Sequence, residues 1–358
     1  MFSYFSSSLD CVAPINTGAA CFGKSVPLSP PSCDKTTRGN VDGKAAKRGN
    51  GESYTEREDI VESGEFEEYV MEIVGVMHEA EERTLPDPYY MHSQTELTWQ
   101  MREALIIWLI QVHSEYDLRP ETLFLNINIM DRICSTRLVT KDQYQLLGIA
   151  ALWVAAKYEE NHGRVPSLKN LSFICMHRYR EKDFVRTERL ILKTLEFDLN
   201  YPTCESFLRS HCKFLCHVGP ETRAVARYLM ELGLVAPNGF FVGKRSSMIA
   251  TASLVLAEMI MGNGGMYPLA PRSQKDIEVI DCINVLAQCA GKPCDVIRFK
   301  YAEQRYCCAS DIVQSWILRT RTASFQPTIH PPPGLLTPPK EPVACDYHSA
   351  SATAAVRV

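Results

Sequence analysis

The sequence predicts an all-α protein: two tandem five-helix units, preceded by one further helix and flanked by two disordered tails. Three observations carry that expectation. Alternating β-branched runs are missing, and the Asn238-Gly239 pair, a common hairpin signal, has no strand pattern on either side. Apolar residues recur at helical spacing from about residue 64 to 321. The order of helices then repeats across a break at Tyr201-Pro202-Thr203.

Residues 1–63 are rich in Ser, Gly, Thr and Asn and read as a disordered N-terminal tail. Residues 64–93 hold a helix, 66–82, with Tyr69, Ile73, Val76 and Met77 on one stripe, and a linker begun by Leu85-Pro86-Asp87-Pro88. The first unit, 94–202, opens with 96–115, apolar on nearly every side and therefore a buried central helix. Pro120-Glu121-Thr122 starts a helix that runs to about Cys134. Thr140 caps 141–160, where Ala150, Ala151, Ala155 and Ala156 permit close helix approach. Helices near 167–176 and 181–197 complete the set. The second unit, 203–321, repeats the order at 203–215, 220–233, 246–261, 273–290 and 294–320. Its third helix holds IATASLVL from Ile249, where the first unit's third holds IAALWVAA from Ile149. Residues 322–358, with Pro331, Pro332, Pro333, Pro338 and Pro339, read as a second disordered tail.

Composition excludes several function classes. The net charge of -4 does not suit a general nucleic-acid binder. It averages two opposite segments. Up to Asn50 there are six bases against three acids; from Glu52 to Arg83 there are twelve acids against Arg57 and Arg83. The start lacks a basic region and an apolar run of signal-peptide type, and no stretch approaches 18 uncharged apolar residues. The expectation is an intracellular protein without membrane contact. None of the 14 cysteines forms a C-x-x-C pair. His211-Cys212-Lys213-Phe214-Leu215-Cys216-His217 is the nearest thing to a zinc cluster. It lacks a second ligand pair, so buried reduced thiols are expected and no metal or cofactor. Met261-Gly-Asn-Gly-Gly265 follows a helix and leads into Met-Tyr-Pro, which is not a phosphate loop. Glu159 and Glu160 are adjacent on a helix and point about 100° apart, so they do not flank one bond. With no nucleophile–base motif either, no catalytic residue is assigned.

Four ordered blocks carry a resemblance: MREALIIWLIQVH at 101–113, PETLFLNINIMDR at 120–132, QLLGIAALWVAAKYEE at 145–160 and ERLILKTLEFDLNYPT at 188–203. Together they resemble the cyclin box. TLPDPYYMHSQTELTWQMR at 84–102 and TRAVARYLMELGL at 222–234 resemble its B-type, mitotic form. The likeness spans about 66–320. It implies two five-helix cyclin-box folds after an N-terminal helix, and a non-catalytic subunit that binds and activates a cyclin-dependent kinase around G2 and mitosis. The expected compartments are nucleus and cytoplasm. The same double fold would suit a transcription-type cyclin or a TFIIB-like factor, but the acidic 52–82 segment and the B-type flanks argue against both.

Site residues follow from the same resemblance. By themselves, Lys157 reads as a solvated lysine and Glu188 as a first-turn glutamate favoured by the helix dipole. The resemblance instead makes them the pair that holds the kinase's αC region, with Val154, Tyr158, Phe197 and Leu199 as its apolar surround and Tyr69 and Ile73 as contacts on the first helix. Met101, Leu105 and Trp108 form one helical stripe that reads as core. In cyclins it is partly exposed as a patch for Arg-x-Leu peptides of substrates and inhibitors, completed here by Tyr144 and Gln145 with Gln111 at the rim. Ala104 stands where the family usually has Ile, and Ile107 where it has Asp, so a weakened patch is expected. Arg102 in so apolar a helix needs a partner, and Asp131 is the expected one, a structural pair. Thr337-Pro338 and Ser29-Pro30 fit proline-directed phosphorylation. Mitotic cyclins usually carry an R-x-x-L degron in the N-terminal tail. Here Arg38, Arg48, Arg57 and Arg83 are followed at +3 by Val41, Gly51, Ile60 and Pro86, and Arg102-x-x-Leu105 lies in a predicted core helix.

Overall fold

The computed structural model describes residues 69–214, 218–263 and 273–322. Among these there are thirteen α-helices, three short 3-10 turns and no strand. Both tails, with Ser29 and Thr337, lie outside the described residues, as do Cys216 and His217.

The first helix, α1 (Val70–Arg83), is followed by one short turn that periodicity did not predict, α2 (Tyr90–Ser93). The first unit then comprises α3 (Trp99–Glu115), α4 (Pro120–Thr136), α5 (Lys141–Glu159), α6 (Leu168–Ile174) and α7 (Glu181–Thr194). Starts are set locally. Thr98 accepts the Met101 N–H at 3.3 Å, Pro120 occupies the first turn of α4, and Ser167 accepts the Asn170 N–H at 3.3 Å. α5 is the axis of the unit: Ala150, Ala151, Ala155 and Ala156 are wholly buried. A Cβ at Gly148 would lie 3.1 Å from Leu105, so the missing side chain lets α3 approach α5 closely. Filling that contact with fully buried Leu105 contributes about 2 kcal/mol.

The second unit comprises α8 (Cys204–Phe214), α9 (Pro220–Leu234), α10 (Ser246–Met261), α11 (Gln274–Gly291), α12 (Asp295–Lys300) and α13 (Ala309–Thr322). Its axis is α10, with Ala250, Ala252, Leu254 and Ala257 wholly buried. A capping box starts α11: Asp276 N–H donates to Ser273, and Ser273 N–H to the Asp276 carboxylate at 2.9 Å. The single helix expected over 294–320 is instead α12, a 3-10 turn Gln304–Tyr306, and α13. Cys307 and Cys308, at φ of 53° and 50°, form the left-handed bend between that turn and α13, a conformation no helix interior accommodates.

The units meet along α3 and α4. α3 packs on α12 and on the 3-10 turn Pro237–Gly239, and α4 packs on α8. Gly239 has φ +63° and sits under the Trp99 ring; a Cβ there would fall 2.1 Å from a ring carbon. Glu121 of α4 pairs with Arg209 of α8. α1 lies on the second unit: Glu81 accepts Ser247 N–H and Oγ–H at 3.0 and 2.7 Å, and Glu82 pairs with Arg245.

Candidate partner-binding face

Lys157 is the last lysine of α5, exposed where the Ala-rich run ends, and its ammonium pairs with Glu188 on α7. Glu188 does not open its helix, as expected above, but stands in its second half, so the helix dipole is not what places it. The lysine is also held from below. Its Nζ lies 3.4 Å from the centroid of the Trp153 ring, a cation–π contact that sequence reasoning missed. An i, i+4 aromatic–lysine spacing was its only signal.

Around this pair the surface is apolar. Tyr158 is 52% exposed and Phe197 69% exposed, with Leu199 half-buried beside them. Phe197 and Glu196 adopt φ of 61° and 53° just beyond the end of α7, so α7 ends at Thr194 rather than 197. The bend is fixed: Phe197 N–H donates to Leu192 O at 2.9 Å, and Arg83 and Arg132 hold Asp198, the latter through its carbonyl at 2.9 Å. The Arg83 guanidinium, hydrogen-bonded at 2.8 Å, keeps the Asp198 carboxyl below the usual range. Non-glycine residues in this conformation cost about 1–2 kcal/mol each. On α1, Tyr69 and Ile73 are exposed, and Val76, which the sequence reading placed on the same stripe but not in the site, is more exposed still. Val154 corrects the expectation. It is 3% exposed and belongs to the core beneath the face.

The second expected site is largely interior. Leu105 and Tyr144 are wholly buried, and Met101, Trp108 and Gln145 nearly so. Ala104 and Ile107 are half-buried and Gln111 exposed, so these three supply most of what the stripe shows to solvent. Burial of Arg102 and Leu105 likewise leaves the R-x-x-L string at 102–105 inaccessible in the folded chain.

Arg102 and Asp131 meet in a bidentate pair, Nε to Oδ1 at 2.9 Å and Nη2 to Oδ2 at 2.7 Å. Tyr90 adds a hydrogen bond to Asp131 at 2.9 Å, and Arg102 Nη1 donates to Leu234 O of the second unit at 3.0 Å. Burial opposes the guanidinium charge, but Asp131 outweighs it and raises the Arg102 pKa. The pair is therefore also a joint between units. The second unit has a buried counterpart that the sequence did not disclose: Lys300 donates to both Glu231 oxygens at 2.7 and 2.9 Å, with Tyr301 at 2.8 Å.

Glu159 and Glu160 have different surroundings. Glu160 caps α4 from outside, accepting Arg119 N–H at 2.6 Å and Thr122 Oγ–H at 2.7 Å. Burial, then the neighbouring Glu121 carboxylate, push Glu159 up to about 7. Among the described residues no group of three His, Cys, Asp or Glu side chains is arranged to hold a metal, and His211 instead faces Phe207 O at 2.6 Å. No helix among them is long and apolar enough to cross a membrane.

Comparison with known families gives two adjoining matches: the cyclin N-terminal domain over residues 72–200 and the cyclin C-terminal domain over 202–315. A G2/mitotic-specific cyclin, cdc13, of Schizosaccharomyces pombe is 37% identical over 254 residues, 70% of this chain and 52% of the relative. G2/mitotic-specific cyclin-B of Emericella nidulans is 36% identical over 255 residues, 70% and 52% of the two chains. The chain thus spans about half the length of the curated relatives it matches. A crystal structure of a viral cyclin from herpesvirus saimiri superposes with a TM-score of 0.51 at 18% identity, over 61% of this chain and 97% of the other, a likeness of fold alone.

Proposed function

The chain belongs to the cyclin family, and from that membership we propose that it is a regulatory subunit without catalytic chemistry of its own. It binds a cyclin-dependent serine/threonine kinase and activates it around G2 and mitosis, in nucleus and cytoplasm. The observation that supports this reading is the Lys157–Glu188 pair at the surface, bordered by exposed Tyr158, Phe197, Tyr69 and Ile73. Charged anchors beside exposed aromatic side chains are what a specific protein interface needs.

The mechanism is allosteric. The first unit grips the αC helix of the kinase, seats the αC glutamate against the ATP-positioning lysine, and draws the activation loop from the substrate cleft. The driving energy is preferential binding to the active kinase conformation. Arg-x-Leu substrates and inhibitors dock weakly over the Met101–Trp108 stripe, because the stripe itself is buried and Ala104, beside Ile107 and Gln111, shows less apolar surface than Ile would.

The test is co-expression with candidate kinases, pull-down and a histone-kinase assay. Lys157→Ala with Glu188→Ala is expected to abolish capture and activation while helical circular dichroism stays unchanged. Full capture and activation by that variant would refute the assignment.

A further inference from the structure

Lys182, Arg186, Arg189 and Lys193 recur along α7 at spacings of four, three and four, so they form one row on the helix surface. All four are exposed. None makes an ion pair or hydrogen bond with another described residue. Within the helix, Glu188 is engaged by Lys157 and Asp183 by the Arg180 N–H at 2.9 Å, which leaves Glu181 and Glu196 beside the two ends of the row. A row of uncompensated cations about 17 Å long repels itself, since like charges at i, i+4 destabilise a helix. It calls for an anionic partner of matching length.

We infer that residues 52–68 of this chain dock along the α7 row. The segment holds eight acids, Glu52 to Glu68, against the single base Arg57. Glu56 and Glu58, and again Glu65 and Glu67, stand two residues apart. In an extended strand that places them about 6.6 Å apart on one side, near the step of about 5–6 Å between successive cations of the row.

Chain geometry allows it. The segment ends at Glu68, one residue before Tyr69, the N-cap of α1, and α1 is about 21 Å long. The other end of α1 is tied by Arg83 to Asp198, five residues beyond Lys193. Seventeen residues in extended form reach about 56 Å, enough to return along α1 and follow the row. The covalent link also holds the acids at millimolar effective concentration, which favours them over a free acidic peptide.

Zero-length carbodiimide cross-linking of the full chain tests this, because it joins amines only to carboxylates in direct contact. In the monomer, Lys182 and Lys193 are expected to join acids of 52–68. Arg186→Glu with Arg189→Glu leaves both lysine reporters in place and should lower the yield about tenfold. Adding Glu65→Arg and Glu67→Arg should restore it, which also shows that the first variant is folded. Neutralising the segment by Glu→Gln substitutions should increase binding of an oligouridine probe to the exposed row. Cross-links confined to a dimer assign the row to a second copy and overturn the inference. So does absence of 52–68 from the cross-links, or oligouridine binding that ignores the segment's charge.

Discussion

Glu81 of α1 caps Ser247 of α10, taking both its backbone N–H and its hydroxyl at 3.0 and 2.7 Å. Residues 166 apart in sequence thus join the leading helix to the first turn of the second unit's axis. The carboxylate is 1% exposed, and His78 Nδ1 lies 2.7 Å from it. It satisfies helix donors that would otherwise be left unpaired, and its charge suits a helix N-terminus.

Glu81→Ala is therefore expected to destabilise the chain by about 2 kcal/mol and to loosen α1 ahead of the rest. Urea unfolding gives the first quantity. Hydrogen exchange gives the second, as faster exchange in 70–83 with α5 unaffected. Uniform protection across both helices would show that α1 is held by other contacts.

The Arg102–Asp131 pair predicts a non-additive cycle. Asp131→Leu leaves a buried guanidinium without its partner and should cost about 3–5 kcal/mol. Arg102→Met with Asp131→Leu removes both charges and should cost much less than the two single changes together. Because Arg102 also holds Leu234 O, the single variant Arg102→Met is expected to raise exchange at the end of α9 as well. A cycle that adds within error would mean that the two residues act independently.

Much of this architecture was legible beforehand, and the failures have identifiable causes. Alanine runs and proline starts announced α4, α5 and α10 because those signals are local. Lys157 was readable as the exposed end of a buried run, whereas the residues alone put Glu188 in a first turn that it does not occupy. The break at Cys307–Cys308 was not readable, since nothing in two cysteines announces left-handed backbone. Val154 was misplaced because a face inferred from resemblance does not resolve which way each side chain turns. The caps by Glu81 and Glu160 and the Lys300–Glu231 pair depend on long-range packing and left no trace in spacing.

Glu159 predicts a pH dependence. Its folded pKa, about 7, is raised above the ordinary carboxylate value, first by burial and then by Glu121. The folded state therefore holds this proton more tightly than the unfolded state does. Stability is lost as pH rises from about 4.5 through about 7, and the penalty is complete above that. Glu159→Gln removes the penalty. The variant should gain about 1 kcal/mol over the parent at pH 8, allowing for solvent screening of a half-buried group, and much less at pH 5. Urea midpoints at the two pH values decide it; an equal gain at both would assign the effect to packing rather than to charge.

Phe197 sets stability against binding. Its ring is 69% exposed, so its removal forfeits little burial, while its φ of 61° suits glycine far better than an aromatic residue. Phe197→Gly relieves about 1–2 kcal/mol of backbone strain and gives back part of that through the freer unfolded chain. Thermal unfolding should accordingly shift upward slightly or stay unchanged. If the proposed interface holds, kinase capture should fall more than about tenfold, because an exposed aromatic beside the charged anchors carries a large share of such an interface's energy. A variant that loses stability and keeps capture would mean that the ring works within the fold and that the strained bend has another purpose.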